Sequence, residues 1–133
     1  MARAKANFSW LEAAQRHLND DSAFRKLGST DMKLGLVIGD EARLVVFEAF
    51  EISQIGDLDP HDVRDVDLVI RMTPRDWNAY LKKRAQGKGP TLLSLDLDSP
   101  VVYARNPLKR LLFERFNLSL QMFIDSGARL AAA

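Results

Sequence analysis

Cysteine is absent from the 133 residues. That excludes disulfides, thiol catalysis and thiolate-held zinc. Only two histidines occur, His17 and His61, and neither belongs to a His-Glu-x-x-His pair. The seven glycines form no phosphate-cradling loop, and no serine sits in a nucleophile elbow. A large charge of either sign is also missing. The 19 Lys and Arg against 18 Asp and Glu leave +1, which does not favour a strongly basic nucleic-acid binder. No apolar run approaches the ~18 residues of a membrane helix; residues 116–124 are uncharged but include Asn117, Ser119 and Gln121. Met1 to Ser9 has no apolar core, so no signal peptide is predicted. With no cysteine either, a cytoplasmic protein is expected. The C-terminal Ala131-Ala132-Ala133 is not a peroxisomal signal.

What is present is ordinary globular material: 47% hydrophobic and 28% charged residues. The length predicts one domain, residues 1–133, able to bury roughly two-thirds of its unfolded surface without a metal or disulfide staple. The charge is unevenly spread. Acidic residues outnumber basic ones up to residue 66, and basic ones dominate beyond it. This reads either as a solvated mixed surface or as an anion-facing side in the second half.

Local patterns divide the chain into alternating elements. Ser9-Trp10-Leu11-Glu12 reads as a capping box, launching a helix with Trp10, Leu11, Ala14 and Leu18 on one face. A short helix is predicted over 22–27, with Asp20-Asp21 as its cap. The period then changes to two. Met32, Leu34, Leu36 and Ile38 alternate with Lys33, Gly35 and Val37, and Gly39-Asp40 makes a turn. Residues 42–52 read as a second strand, apolar on both faces, with 53–58 either extending it or starting a third. After a polar connection, Val66, Leu68, Ile70 and Met72 point one way along another strand. It runs into Thr73-Pro74, a cap plus an N1 proline, and a helix over 74–85. Residues 91–97 fit either a short helix or a strand. Pro100 to Arg105 read as a strand at a sheet edge. Asn106-Pro107 then starts the longest helix, 107–125, which Gly127 is expected to stop.

That last helix is unusually greasy. Arg110, Glu114, Asn117, Gln121 and Asp125 fall within an arc of about 80°, and apolar residues spread over about 240°. A helix lying on a sheet needs an apolar stripe of only about 100° or somewhat more. The excess calls for a cover: a second helix, a partner subunit or an apolar ligand.

The segment Asp65-Val66-Asp67-Leu68-Val69-Ile70-Arg71-Met72-Thr73-Pro74-Arg75-Asp76-Trp77-Asn78-Ala79-Tyr80-Leu81 resembles the central signature of the sterol carrier protein type-two family. There, an acidic-hydrophobic strand enters a Thr/Ser-Pro-Glu/Asp cap, followed by an aromatic and a leucine on the next helix. The upstream hairpin from Met32 to Phe50 and the helix around Phe24 stand in matching order. Two features depart from the pattern. The family usually has a lysine- and glycine-rich strand where Ser99-Pro100-Val101-Val102-Tyr103-Ala104-Arg105 stands here, and the final helix is longer than usual.

The resemblance implies an α/β (α+β) fold, with a single twisted mixed sheet of about five strands and helices packed on one face. An apolar tunnel would lie between the two layers, closed by the final helix. It implies non-catalytic binding or transfer of a hydrophobic ligand: a fatty acid, fatty acyl-coenzyme A, a sterol or another lipid. The residues expected to line the tunnel are Phe47, Leu68, Ile70, Trp77, Leu81, Leu112, Phe113, Phe116, Leu120 and Phe123, each of which also reads as plain core. Tyr80 and Tyr103 would orient a polar head. Lys82, Lys83, Arg84, Lys88, Lys109, Arg110 and Arg115 would meet an anionic head group or a phospholipid surface, or simply be solvated.

No cofactor or metal is implied. The loop carrying Asp57, Asp59, Asp62, Asp65 and Asp67 lacks the glycine and terminal glutamate of a calcium loop, and reads as a solvated turn. The expected partner is a hydrophobic small molecule or lipid. A homodimer or a lipid-metabolising enzyme is a further candidate, with no nucleic acid and at most peripheral membrane contact. The alternative is a structural or interaction protein, using the same fold as a homodimer or accessory subunit. A third reading, an enzyme acting on a hydrophobic substrate, needs His17 or His61 inside the cavity.

Overall fold

The computed structural model describes residues 8–28, 31–59, 61 and 65–132, with side chains up to residue 130. The first seven residues, on which the leader reading rests, and Asp62 lie outside the described residues, as does the end of the Ala131-Ala132-Ala133 tail.

The strands are β1 (Met32–Ile38), β2 (Glu41–Glu48), β3 (Glu51–Leu58), β4 (Leu68–Met72) and β5 (Val102–Ala104). They form one mixed sheet in the order β3-β2-β1-β4-β5. β1 pairs with β4 in parallel, and the other neighbours are antiparallel. The helices are α1 (Leu11–Asn19), α2 (Ser22–Lys26), α3 (Pro74–Ala85), α4 (Leu92–Asp98) and α5 (Pro107–Ala132). Their buried apolar residues all join one core with Leu34, Leu36, Val45, Phe47, Leu68, Ile70 and Val102 from the sheet. The expected α+β sheet with helices on one face is therefore the fold observed.

The back of the sheet carries a smaller cluster of Val37, Ala42, Val66 and Val69, with Leu44 and Leu58 partly buried beside it. Gly35 permits that closure. A Cβ there would lie 3.2 Å from both Leu58 and Val66. Val66 thus faces opposite to Leu68 and Ile70, against the alternation expected from the sequence. The strand starts only at Leu68, because Asp67 is held at its entrance: its amide donates to the Lys33 carbonyl and its carboxylate accepts from the Lys33 amide.

Three further expectations are corrected, and the open choice between helix and strand at 91–97 is settled. Residues 42–52 are not one strand; they turn at Ala49-Phe50 into β3, with Ala49 at φ 55°. Neither glycine nor proline marks that hairpin, so the apolar alternation runs through it unbroken. Ser9 is not the cap of α1. Trp10 occupies that position with no side-chain capping bond. Residues 92–98 are helical, with the Thr91 hydroxyl accepting from the Ser94 amide. Gly127 does not stop α5, which continues to Ala132. The glycine is instead buried against the Trp10 indole, where a Cβ would sit 2.1 Å from Cε3.

Other devices appear as read. Asp21 caps α2, Thr73 accepts from the Asp76 amide at the start of α3, and Asn106 accepts from the Lys109 amide at the start of α5. α1 is also tied to edge strand β3. Asn19 both accepts from the Ile52 amide and donates to its carbonyl, and Gln15 donates to the same carbonyl.

Trp77 anchors α3. Its indole is fully buried and Nε1 donates to the Val37 carbonyl at 2.7 Å. Trp77→Phe is expected to cost about 1–3 kcal/mol, because that buried acceptor loses its donor. Urea denaturation would show it as a lower midpoint at unchanged slope.

Candidate functional site

The apolar layer between sheet and helices is built from four elements. β2 brings Phe47, β4 brings Leu68 and Ile70, α3 brings Trp77, Tyr80 and Leu81, and α5 brings Phe113, Leu120 and Phe123. All nine are buried in the same apolar cluster, and Leu112 packs half-buried against it. The rings interlock. Phe123 meets Phe47 edge-on at 5.9 Å and Trp10 at 5.6 Å. The sequence pattern marks Trp10 only as core; its contact with Phe123 places it at the same site.

Two residues expected at the ligand stand apart, one as tunnel lining and the other to orient its head. Phe116 is half-buried, with the Arg115 guanidinium 5.3 Å from its ring centroid. Tyr103 is 46% exposed and its hydroxyl donates to the Pro100 carbonyl. It pairs with Val69, whose side chain belongs to the back of the sheet, so strand alternation turns Tyr103 away from the helices.

A polar seam crosses the helix layer. Gln121, buried on α5, donates to the Tyr80 hydroxyl and to Asp125, and accepts from the Leu92 amide at the start of α4. Burial pushes the Tyr80 hydroxyl up, against the opposing effect of Gln121. Asp125 grips Arg84 of α3 through two bonds of 2.7 and 2.8 Å, which holds the guanidinium charged despite its partial burial. Further along, Asp96 of α4 accepts from the Val101 and Val102 amides and from Arg110 of α5. Burial alone would raise the Asp96 carboxyl. The Val102 amide, Arg110 and the Val101 amide together outweigh burial and hold it below the ordinary carboxylate range.

Arg110, Gln121 and Asp125 of the polar arc of α5 thus face α3 and α4, where a polar stripe would ordinarily face water, and Glu114 stays exposed. Sequence reading misses Asp96 as a joint because its segment fits helix and strand alike. The helical spacing Leu92…Asp96 is the signal that puts the carboxylate on the buried face.

Of the seven cations expected to meet an anionic head, three are engaged within the fold. Arg84 pairs with Asp125, Arg110 with Asp96, and Lys109 with Asp67 at 2.8 Å. Lys82, Lys83 and Lys88 are exposed. Neither histidine faces the interior. His17 is exposed with Asp21 4.0 Å away, and His61 is exposed in the loop.

Two open clefts lie at the margins of the sheet. One of about 390 Å³ runs beside α1 and is lined by Phe8, Leu11, Arg16, Arg43, Ile55 and Asp57 among others. The other, about 320 Å³, lies at the far end of β1 and β2, among Lys33, Glu48, Asp65, Asp67 and Arg105.

The architecture is shared with a solved protein. The chain is similar to TT1886 of Thermus thermophilus, a conserved hypothetical protein whose solution structure is described as possibly that of a sterol carrier protein. The two agree at a TM-score of 0.66 with 19% identity, over 97% of this chain and 92% of that one. The fold is sterol-carrier-like. No protein-family model and no curated protein matches the sequence. Among the described residues, no helix is long and apolar enough to cross a membrane.

Proposed function

We propose that this protein binds or carries a hydrophobic ligand of lipid class between its sheet and its helix layer, without chemistry of its own. The observation that carries the reading is the interlayer itself. A sheet face and a long helix are separated by aromatic rings, in an architecture that nearly the whole chain shares with TT1886. The segment from Asp65 to Leu81 supports it by its likeness to the sterol-carrier signature.

The physical basis is partition. A guest entering among Phe47, Phe113, Leu120 and Phe123 leaves water and gains about 25 cal/mol for each Å² of apolar surface buried. Rings that pack edge-on can rotate to admit it, whereas close backbone contact could not. The polar seam would hold α3, α4 and α5 together while the apolar side adjusts.

Organic-solvent extraction of the purified protein, followed by mass spectrometry, is expected to release a lipid. The stripped protein should then take up a fluorescent fatty acid, with a change in Trp10 emission because the indole touches Phe123. Saturating ligand at about 100 times Kd should raise stability by about 2.7 kcal/mol. Absence of both lipid release and uptake would sink the reading.

A further inference from the structure

α5 presents its leucines to the outside. Leu108, Leu111 and Leu118 are 75%, 55% and 65% exposed. At 100° per residue they fall, with Arg115 and Arg129, within an arc of about 80°. This is the excess apolar surface the sequence announced, and neither α3 nor α4 covers it, because both are joined to α5 through its polar seam.

α3 lies alongside and runs in the same direction, as the pairs Tyr80–Gln121 and Arg84–Asp125 show. Its buried side carries Trp77, Tyr80 and Leu81, so its opposite side turns outward with that of α5. That side presents Arg75, Lys82 and Lys83, all exposed. The carboxylates on these two outward faces are Asp76 and Glu114. Exposed leucine flanked by a surplus of cations is the chemistry of an interfacial helix: apolar groups enter the acyl boundary and cations meet lipid phosphates.

We propose that the outer face of α3 and α5 docks on an anionic phospholipid bilayer. This is a surface site, distinct from the interior reading above and independent of whether the interior takes a ligand. A second copy of the chain would have to set these cations against its own, since a two-fold contact presents the same patch from both sides.

The test is co-sedimentation with vesicles, on the full chain. Vesicles containing about a third phosphatidylglycerol should bind the protein; pure phosphatidylcholine should not; and about 0.5 M salt should release it. Lys82→Gln/Lys83→Gln should weaken binding about tenfold or more. Leu111→Ser/Leu118→Ser should weaken it about tenfold, with the fold intact because both side chains are already in water. Uptake of a fluorescent fatty acid should be the same in wild type and both variants, whether or not it occurs.

Three results would overturn the proposal. One is a folded wild type that ignores anionic vesicles. Another is wild-type binding by both variants, which would assign another surface. The third is a wild-type dimer, seen by light scattering, that becomes monomeric in the leucine variant, which would give the face to a second copy.

Discussion

Gly127→Val is expected to destabilise the fold by about 3 kcal/mol or more, and Gly127→Ala by about 1–3 kcal/mol. The sign is the informative part. Helix propensity alone would reward alanine over an interior helical glycine by about 1 kcal/mol. Here the added Cβ would lie 2.1, 2.5 and 2.8 Å from three atoms of the Trp10 indole, distances no real contact adopts. Either Trp10 leaves its place or α1 moves away from α5. Both disturb the Trp10–Phe123 contact and with it one wall of the interlayer. Urea unfolding followed by Trp10 and Trp77 emission would measure the loss. Trp10→Leu in the Gly127→Ala background should recover part of it, giving a coupling energy of opposite sign to the single changes. A stabilised Gly127→Ala would mean that the indole does not rest on the helix.

Asp96→Ala should cost about 3–5 kcal/mol. The carboxylate is buried and accepts two backbone amides as well as Arg110. Its loss strands buried donors and a guanidinium at the junction of α4, β5 and α5. The same carboxylate makes stability depend on acid. Its folded value lies below the ordinary range, as does that of Asp67. At Asp67, burial is outweighed by Lys109, the Lys33 amide and Arg105. A lowered folded value means that this stabilisation is complete above the unfolded carboxylate value of about 3.9. It is lost as pH falls through the lower folded values. Urea midpoints should therefore be flat with respect to these groups from neutral pH to about pH 5, and fall below about pH 4. Asp96→Asn should show a shallower fall over that range. An equal acid slope in wild type and Asp96→Asn would refute the assignment.

Much of the architecture was legible where local chemistry and packing agree. Thr73-Pro74 and Asn106-Pro107 start helices where predicted, because cap and proline act within one turn and need no tertiary partner. The period-two run of β1 and the alternation of Leu68, Ile70 and Met72 report a sheet with one helix-covered face, and that face is where they lie. The failures occur where a distant partner decides. Gly127 looks like a helix stop until Trp10 is placed on it, and that contact spans nearly the whole chain. The Ala49 turn carries no glycine or proline, so β2 and β3 read as one strand. Periodicity put Phe47, Leu68, Ile70 and Trp77 on the buried side between sheet and helices, and there they lie. It could not place Tyr103, because a three-residue strand has too little alternation to show its face. Nor could it show that Arg110, Gln121 and Asp125 of α5 face its neighbours and the leucines face out. That depends on Asp96, Arg84 and Tyr80, all supplied by other elements.

The strand order has a kinetic corollary. On one side of β1 the neighbours follow directly in sequence, so β1, β2 and β3 can zip together through tight turns. On its other side β1 waits for β4, and β4 for β5, each arriving only after a long intervening stretch. Closing such loops costs entropy before any contact repays it. The meander should therefore acquire hydrogen-exchange protection first in refolding, with the parallel seam between β1 and β4 forming as the slow, committing step.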